Sequence, residues 1–177
     1  MEYIYKHFKS NTLPICIILI LTFSRLIPHP PNFTPIISVA IMSGYLFKNL
    51  NISFIVLTIS MLLSDIFLLS DIFIGVHGNM LFVYLPLFLI SYLFFKISKK
   101  INKKNFFVYG FLGSVIFYLI SNFGVWFYSD FYEKTLEGLM NCYILAIPFF
   151  KNTLISTLVF SYLALFANIY SNKIFLK

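Results

Sequence analysis

Charged residues are scarce in this 177-residue chain, where only 11% of positions are Asp, Glu, Lys or Arg and 60% are hydrophobic. A typical soluble domain has about 25% charged residues. So small a charged fraction excludes an ordinary water-exposed surface, and the mean hydropathy of +0.90 agrees with this. The composition therefore predicts a protein whose main solvent is the lipid bilayer.

Glycine and cysteine are also scarce. There are 7 glycines against 23 phenylalanines and 12 tyrosines, which predicts widely spaced, aromatic-rich helices rather than close packing through glycine. The two cysteines, Cys16 and Cys142, have neither metal-site spacing nor the pattern of a disulfide framework. A buried, inert thiol is the favoured interpretation of Cys142, with a soft metal ligand as the alternative.

Catalytic motifs are absent from the sequence. It contains no GxSxG, no HExxH, no Cys/His cluster and no serine–histidine or serine–lysine arrangement placed inside the membrane, so we expect neither an enzyme nor a cofactor. An intramembrane enzyme remains a minor alternative. The chain also lacks a GxxxxGK[ST] loop and cannot couple ATP by itself. Its net charge of +7 comes from lysines in short loops, a pattern that favours membrane topology over nucleic-acid binding.

Six apolar runs predict an all-α integral membrane protein with a single six-helix domain over residues 1–177. Five spans with a re-entrant segment is the alternative. Pro148 is expected to break the chain before the last span, after a short interfacial helix over 133–141. The predicted spans cover residues 13–27, 35–47, 52–69, 80–97, 106–127 and 152–170, and the second is expected to extend to about 34–50.

Basic residues predict the orientation of these spans. If there are six, ten lysines lie on one side and only Arg25, Lys134 and Lys151 on the other. The positive-inside rule then places both termini in the cytoplasm of a bacterial inner membrane. We interpret the lysine-rich loop after the fourth span as a topology anchor, with a lipid-headgroup site as the alternative. The ten are Lys6, Lys9, Lys48, Lys96, Lys99, Lys100, Lys103, Lys104, Lys173 and Lys177.

The stretch SRLIPHPPNFTPI, residues 24–36, places an arginine, a histidine and four prolines between two apolar runs. Prolines restrict the backbone and bias the preceding residue towards extended geometry, so a stiff, non-helical loop is predicted. Thr34 is expected to be the N-cap of the second span and Pro35 its first helical residue. Such a loop can hold His29 and Asn32 in place at low entropic cost.

Other polar residues are predicted on the same outer side, where they resemble the lining of a ligand pocket: apolar walls with a few convergent polar groups. Asp65 is expected to pair with Arg25 because both are costly near lipid when unpaired. Each candidate has a simpler interpretation, namely a structural ion pair, a solvated loop histidine or an interfacial aromatic belt. The predicted ligand contacts are Arg25, His29, Asn32, Asp65, Asn122, Trp126 and Asn141, and Asp71, His77 and Asn79 lie on the same side.

Three segments resemble a known group of proteins. They are RLIPHPPNFTPI (25–36), SNFGVW (121–126) and GLMNCYILAIPFFKNTL (138–154). They resemble an uncharacterised family of small bacterial membrane proteins, which is similar to the S components of energy-coupling-factor transporters. The resemblance covers nearly the whole chain. It implies a six-helix protein that binds a vitamin-like nutrient from outside, under the loops before helices two and six.

The resemblance also implies partners. S components dock on a transmembrane coupling protein that carries two ATPases, often through small residues spaced four apart on the first helix. The first span here lacks such a pair, and Ala40 with Gly44, or Ser60 with Ser64, are the nearest substitutes. Some cobalamin-binding relatives act alone and direct a cysteine towards cobalt. Cys142 is therefore worth testing as a cobalt ligand. The expected function is nutrient capture for uptake, and the alternative is a scaffold in a cell-envelope complex.

Overall fold

The computed structural model describes residues 2–68, 80–100 and 105–175. Within these ranges the chain is helical without any strand, so the predicted all-α class is confirmed. The helices are α1 (Glu2–Ser24), α2 (Ile36–Leu46), α3 (Leu50–Leu68), α4 (Met80–Ile97), α5 (Phe106–Tyr128) and α6 (Leu136–Phe175), with a 3-10 turn at Ser98–Lys100. Several residues named above are not among those that the structure describes. They are Asp71, His77, Asn79, Lys103, Lys104, Lys177 and the side chains of Lys6, Lys9, Lys100 and Lys173.

Among the residues that the structure describes, four helices are long and apolar enough to cross a membrane, over Leu50–Phe67, Met80–Ile97, Phe106–Tyr128 and Leu136–Ser171. Two shorter apolar segments, Thr12–Ser24 and Ile36–Leu46, accompany them. The outer surface is apolar as well. Along α3, for example, Ile55, Ile59, Leu62 and Ile66 share one face and are each at least half exposed. Such faces are unfavourable in water and favourable against lipid, which indicates a membrane protein.

Helix α2 lies at the centre of the bundle and contacts the five other helices. Residues 36–44 are all buried, because a helix that is apolar on every side packs on every side. Its 11 residues give a length of about 16 Å, roughly half of the hydrocarbon thickness. The expected extension towards Leu50 is wrong. Asn49 Oδ1 accepts the backbone N–H groups of Asn51 (2.9 Å) and Ile52 (3.4 Å), and so caps a new helix.

Close packing between helices contradicts the predicted wide spacing. At Gly44, where α2 crosses α4, an added Cβ would lie 2.0 Å from the backbone oxygen of Ser91. Ser38 of α2 donates to the backbone oxygen of Thr157 in α6 (3.0 Å) and accepts from Ser161 (3.0 Å). The inference from scarce glycine failed because serine also lets membrane helices approach closely.

The substitute docking residues lie inside this bundle. Ala40, Ser60 and Ser64 are 0%, 1% and 2% exposed, and Gly44 contacts the backbone of α4. A partner cannot reach any of them without separating the helices. These pairs therefore offer no exposed surface for the docking that the resemblance implies.

Helix α6 is continuous through Pro148 for 40 residues, so the predicted break and the separate helix over 133–141 are wrong. A proline inside a helix removes one backbone hydrogen bond and costs about 3 kcal/mol. Tyr118 of α5 offsets part of this cost by contacting α6 on both sides of the proline. Its hydroxyl donates to the backbone oxygen of Tyr143 (2.5 Å), and its ring centroid lies 4.9 Å from that of Phe150.

Candidate functional site

Residues 25–35, the proline-rich loop, join α1 to α2 without helical structure, as the prolines predict. The N–H of Phe33 donates to the oxygen of Pro30 (3.0 Å) and closes a turn with Pro31 and Asn32 at its centre. Asn32 has a φ of 59°, in the left-handed region that asparagine tolerates better than most residues. Proline followed by asparagine suits the two central positions of such a turn. The turn therefore fixes the position of Asn32.

Helix α6 holds the proline-rich loop in place through its polar side chains. Asn152 Nδ2 donates to the backbone oxygen of Pro31 (2.9 Å), and the Thr153 hydroxyl lies 3.5 Å from that of Asn32. These contacts satisfy carbonyl groups that a non-helical segment leaves unpaired. The ring of Phe33 also packs against Phe160 at 5.9 Å between centroids. The second half of the loop is thus attached to α6.

The start of α2 differs from the prediction by one residue. Pro35 is the N-cap residue, and the helix begins at Ile36 without a capping side chain. The Pro35 carbonyl accepts the N–H of Val39 (2.8 Å). Thr34 is therefore not the N-cap.

A cleft opens between the proline-rich loop, α5 and α6. It contains about 290 Å³ of empty space, its open mouth included. Aromatic rings form much of its wall, and neutral polar side chains lie among them. The lining residues are Asn32, Phe117, Tyr118, Ser121, Asn122, Ala146, Phe149, Phe150 and Thr153.

Three polar side chains in the cleft retain unused hydrogen-bonding groups. Asn122 donates through Nδ2 to the backbone oxygen of Tyr118 (2.8 Å), which leaves its Oδ1 without a donor in the described ranges. Within those same ranges, the Ser121 hydroxyl and the side-chain amide of Asn32 have no hydrogen-bond partner. The cleft can therefore offer a ligand donors and acceptors without breaking an existing bond.

The predicted pairing of Arg25 with Asp65 is present, although neither residue lines the cleft. Arg25 Nη1 lies 2.6 Å from Asp65 Oδ1, and their side chains are only 19% and 15% exposed. The same nitrogen donates to the Ser64 hydroxyl (2.6 Å), and the Tyr84 hydroxyl donates to Asp65 Oδ2 (2.6 Å). The pair therefore joins the first residue of the proline-rich loop to α3 and α4.

His29, Trp126 and Asn141 also lie outside the cleft lining. His29 and Asn141 are exposed. The indole N–H of Trp126 donates to the backbone oxygen of Glu133 (2.9 Å), and Lys134 Nζ lies 6.0 Å from the Trp126 ring centroid. Lys134 also donates to the backbone oxygen of Trp126. Trp126 thus organises the connection between α5 and α6.

Cys142 is buried beside the cleft, with its Sγ 3.5 Å from the backbone oxygen of Asn122. In the parts of the chain that the structure describes, no three residues among His, Cys, Asp and Glu are grouped so as to hold a metal ion. Cys142 therefore belongs to no such group there.

Most of the cleft was not predicted, although periodicity offered a signal. On α5 the lining positions are 117, 118, 121 and 122, and on α6 they are 146, 149, 150 and 153. Each set recurs every three to four residues and so occupies one face of its helix. The α6 set could not be recognised because the predicted break at Pro148 divided it. The residues missed are Phe117, Tyr118, Ser121, Ala146, Phe149, Phe150 and Thr153.

Comparison with known proteins identifies a family. No curated protein and no solved structure matches the chain. A family described as Family of unknown function (DUF6580) matches residues 6–174. This match spans the proline-rich loop, the cleft and the Arg25–Asp65 pair, and it covers nearly the whole chain. The chain therefore belongs to DUF6580, a family of unknown function.

Proposed function

We propose that the protein is a substrate-binding membrane subunit that captures a small nutrient in the cleft for uptake. The observation that carries this proposal is the combination of aromatic walls with unused polar groups on Asn32, Ser121 and Asn122. Binding pockets for small molecules have this composition. The fixed turn at Asn32 adds preorganisation, which lowers the entropic cost of binding.

The proposal includes six membrane spans with both termini in the cytoplasm. Beside the four long helices, the apolar segment Thr12–Ser24 provides the first span. Ile36–Leu46 provides the second, although its helix covers only about half of the hydrocarbon thickness. The lysine bias of the sequence supports this orientation. The proline-rich loop and the mouth of the cleft then lie at the outer face of a bacterial inner membrane.

Among the predicted contact residues, position in the cleft supports Asn32 and Asn122 as direct ligand contacts. For Arg25 and Asp65 we propose an indirect role, because their ion pair anchors the loop that carries Asn32. His29, Trp126 and Asn141 belong to the surroundings of the cleft, and they contact a ligand only if the loops close over it.

Uptake against a gradient requires energy from outside this chain, whose sequence has no phosphate-binding loop. The resemblance to S components supports a transmembrane coupling protein with ATPase subunits as the partner. Because Ala40, Gly44, Ser60 and Ser64 are buried, that partner must use a lipid-facing surface instead.

Native mass spectrometry of the gently purified protein tests the proposal. We expect a co-purifying small molecule that is lost from Ala146→Phe, which fills the cleft, and from Asn122→Ala. Ala167→Phe is the matched control, since Ala167 is exposed on the same helix about 20 Å from the nearest lining residue of that helix. An empty protein that carries a stoichiometric membrane partner would instead support a scaffold in a cell-envelope complex.

A further inference from the structure

We propose that the cleft takes an uncharged, ring-containing molecule with both hydrogen-bond donors and acceptors along one edge. This inference rests on the proposed function and specifies the chemical class of its substrate. It depends on three properties of the cleft: the absence of charge in its lining, the flat aromatic walls and the mixture of polar groups.

In the described ranges, the nine residues that line the cleft are all uncharged. A carboxylate or phosphate that entered would lose hydration and gain no cationic partner there, and burying an unpaired charge is strongly unfavourable. Of the neighbouring cations, Arg25 pairs with Asp65 and Lys134 donates to the backbone of Trp126. The exposed Lys151 is not among the lining residues. An ammonium group would likewise find no carboxylate in the lining.

Aromatic walls favour a ring. Phe117, Tyr118, Phe149 and Phe150 contribute to the lining, and the Tyr118 and Phe150 rings are inclined at 53° to each other. Aromatic surfaces stabilise planar partners by stacked or edge-on contacts.

The unused polar groups favour an edge with mixed donors and acceptors. Asn122 offers the acceptor Oδ1, Ser121 a hydroxyl and Asn32 a complete side-chain amide. A ring amide or carboxamide can satisfy such a set because it has both an N–H and a carbonyl. A carboxylate only accepts hydrogen bonds and would face the Asn122 oxygen without a proton between them.

A charge series on one ring tests this inference. The probes are nicotinamide (neutral), nicotinate (anionic) and 1-methylnicotinamide (cationic), with uracil and orotate as a second neutral–anionic pair. Dissociation constants are measured by ligand-detected NMR on the full chain in lipid nanodiscs. We expect nicotinamide or uracil to bind the wild type and Ala167→Phe. Ala146→Phe should weaken that binding at least about tenfold, and the charged partner of each series should bind at least about tenfold more weakly than its neutral member.

The outcomes separate this inference from the proposed function. If a charged probe binds as tightly as its neutral partner and Ala146→Phe abolishes that binding, the cleft is a site but its ligand class is wrong. A preference for 1-methylnicotinamide would specifically indicate cation–π recognition by the rings. If no neutral probe binds, or if Ala146→Phe binds it unchanged, the inference is overturned. The proposed function is tested independently of these probes, by whether native mass spectrometry finds a co-purifying small molecule.

Discussion

The Arg25–Asp65 pair shows, at the scale of single residues, how the surroundings of the cleft are fixed. Both oxygens of Asp65 accept hydrogen bonds, one from Arg25 and one from Tyr84. Removing the arginine would leave a largely buried carboxylate without its countercharge, whereas an exposed ion pair would contribute little. The pair therefore matters for stability, and through the proline-rich loop it positions Asn32.

Arg25→Ala should lower the free energy of unfolding by about 2 kcal/mol, because Asp65 would lose its countercharge. Thermal unfolding of the purified protein measures the change. Lys48→Ala, at an exposed lysine, should have little effect. If the double variant Arg25→Ala/Asp65→Ala is as unstable as the sum of the two single changes, the residues are not coupled and this account of the pair is wrong.

Thr157→Val should raise the free energy of unfolding by about 1 kcal/mol. The Thr157 hydroxyl is fully buried and has no hydrogen-bond partner in the described ranges, so its removal relieves a desolvation penalty. Thr22→Val is the matched control, because the Thr22 hydroxyl donates to the oxygen of Ile18 (2.8 Å) and its replacement should give no gain. Destabilisation by Thr157→Val would show that the hydroxyl makes an interaction that this structure does not contain.

At the scale of helices, packing decides what local sequence rules leave open. Helix α4 has the bounds of the span predicted over residues 80–97, and α5 ends one residue after its prediction at 127, because polar residues flank both apolar runs. Helix α6 contradicts the local rule at Pro148, since Tyr118 on a different helix supports both sides of the proline. A contact between residues so distant in sequence has no local signature.

Tyr118→Ala should make amide hydrogen exchange in residues 144–152 about tenfold faster, corresponding to about 1.4 kcal/mol of local stability. The helix around Pro148 would lose contacts on both of its sides. Pro148→Ala in the same chain should restore slow exchange because the helix regains its backbone hydrogen bond. Phe111→Ala, at a lipid-facing position of α5 that is 39% exposed, serves as the control. Equal exchange in the wild type and Tyr118→Ala would refute this role of Tyr118.

Gly44→Ala should destabilise the bundle by about 3 kcal/mol or more, since the new Cβ would overlap the backbone of Ser91 in α4. Gly113→Ala should be tolerated, because its nearest neighbour would be Ile41 Cδ1 at an ordinary 3.5 Å. Size-exclusion chromatography and thermal unfolding compare the two variants. Equal stability of both would mean that α2 and α4 do not cross as described.

At the scale of the whole molecule, composition predicts the membrane class, because low charge and high hydropathy reflect the solvent of the entire surface. The sequence also indicates Asn32 and Asn122, which are polar residues in apolar surroundings. It does not predict the aromatic wall of the cleft, since Phe117 or Phe149 resembles any lipid-facing phenylalanine until the helices are placed. Nor does it predict that Arg25 lies outside the cleft, because two residues on the same side of a membrane can still be far apart.

Labelling of Ser121→Cys tests most directly the central claim that the cleft is open to the outer side and accepts small molecules. The variant is made with Cys16 and Cys142 replaced by alanine, and intact cells receive a small, membrane-impermeant thiol reagent. The account predicts labelling from outside that Ala146→Phe prevents and Ala167→Phe leaves unchanged. Labelling only after lysis, or equal labelling when the cleft is filled, would contradict it.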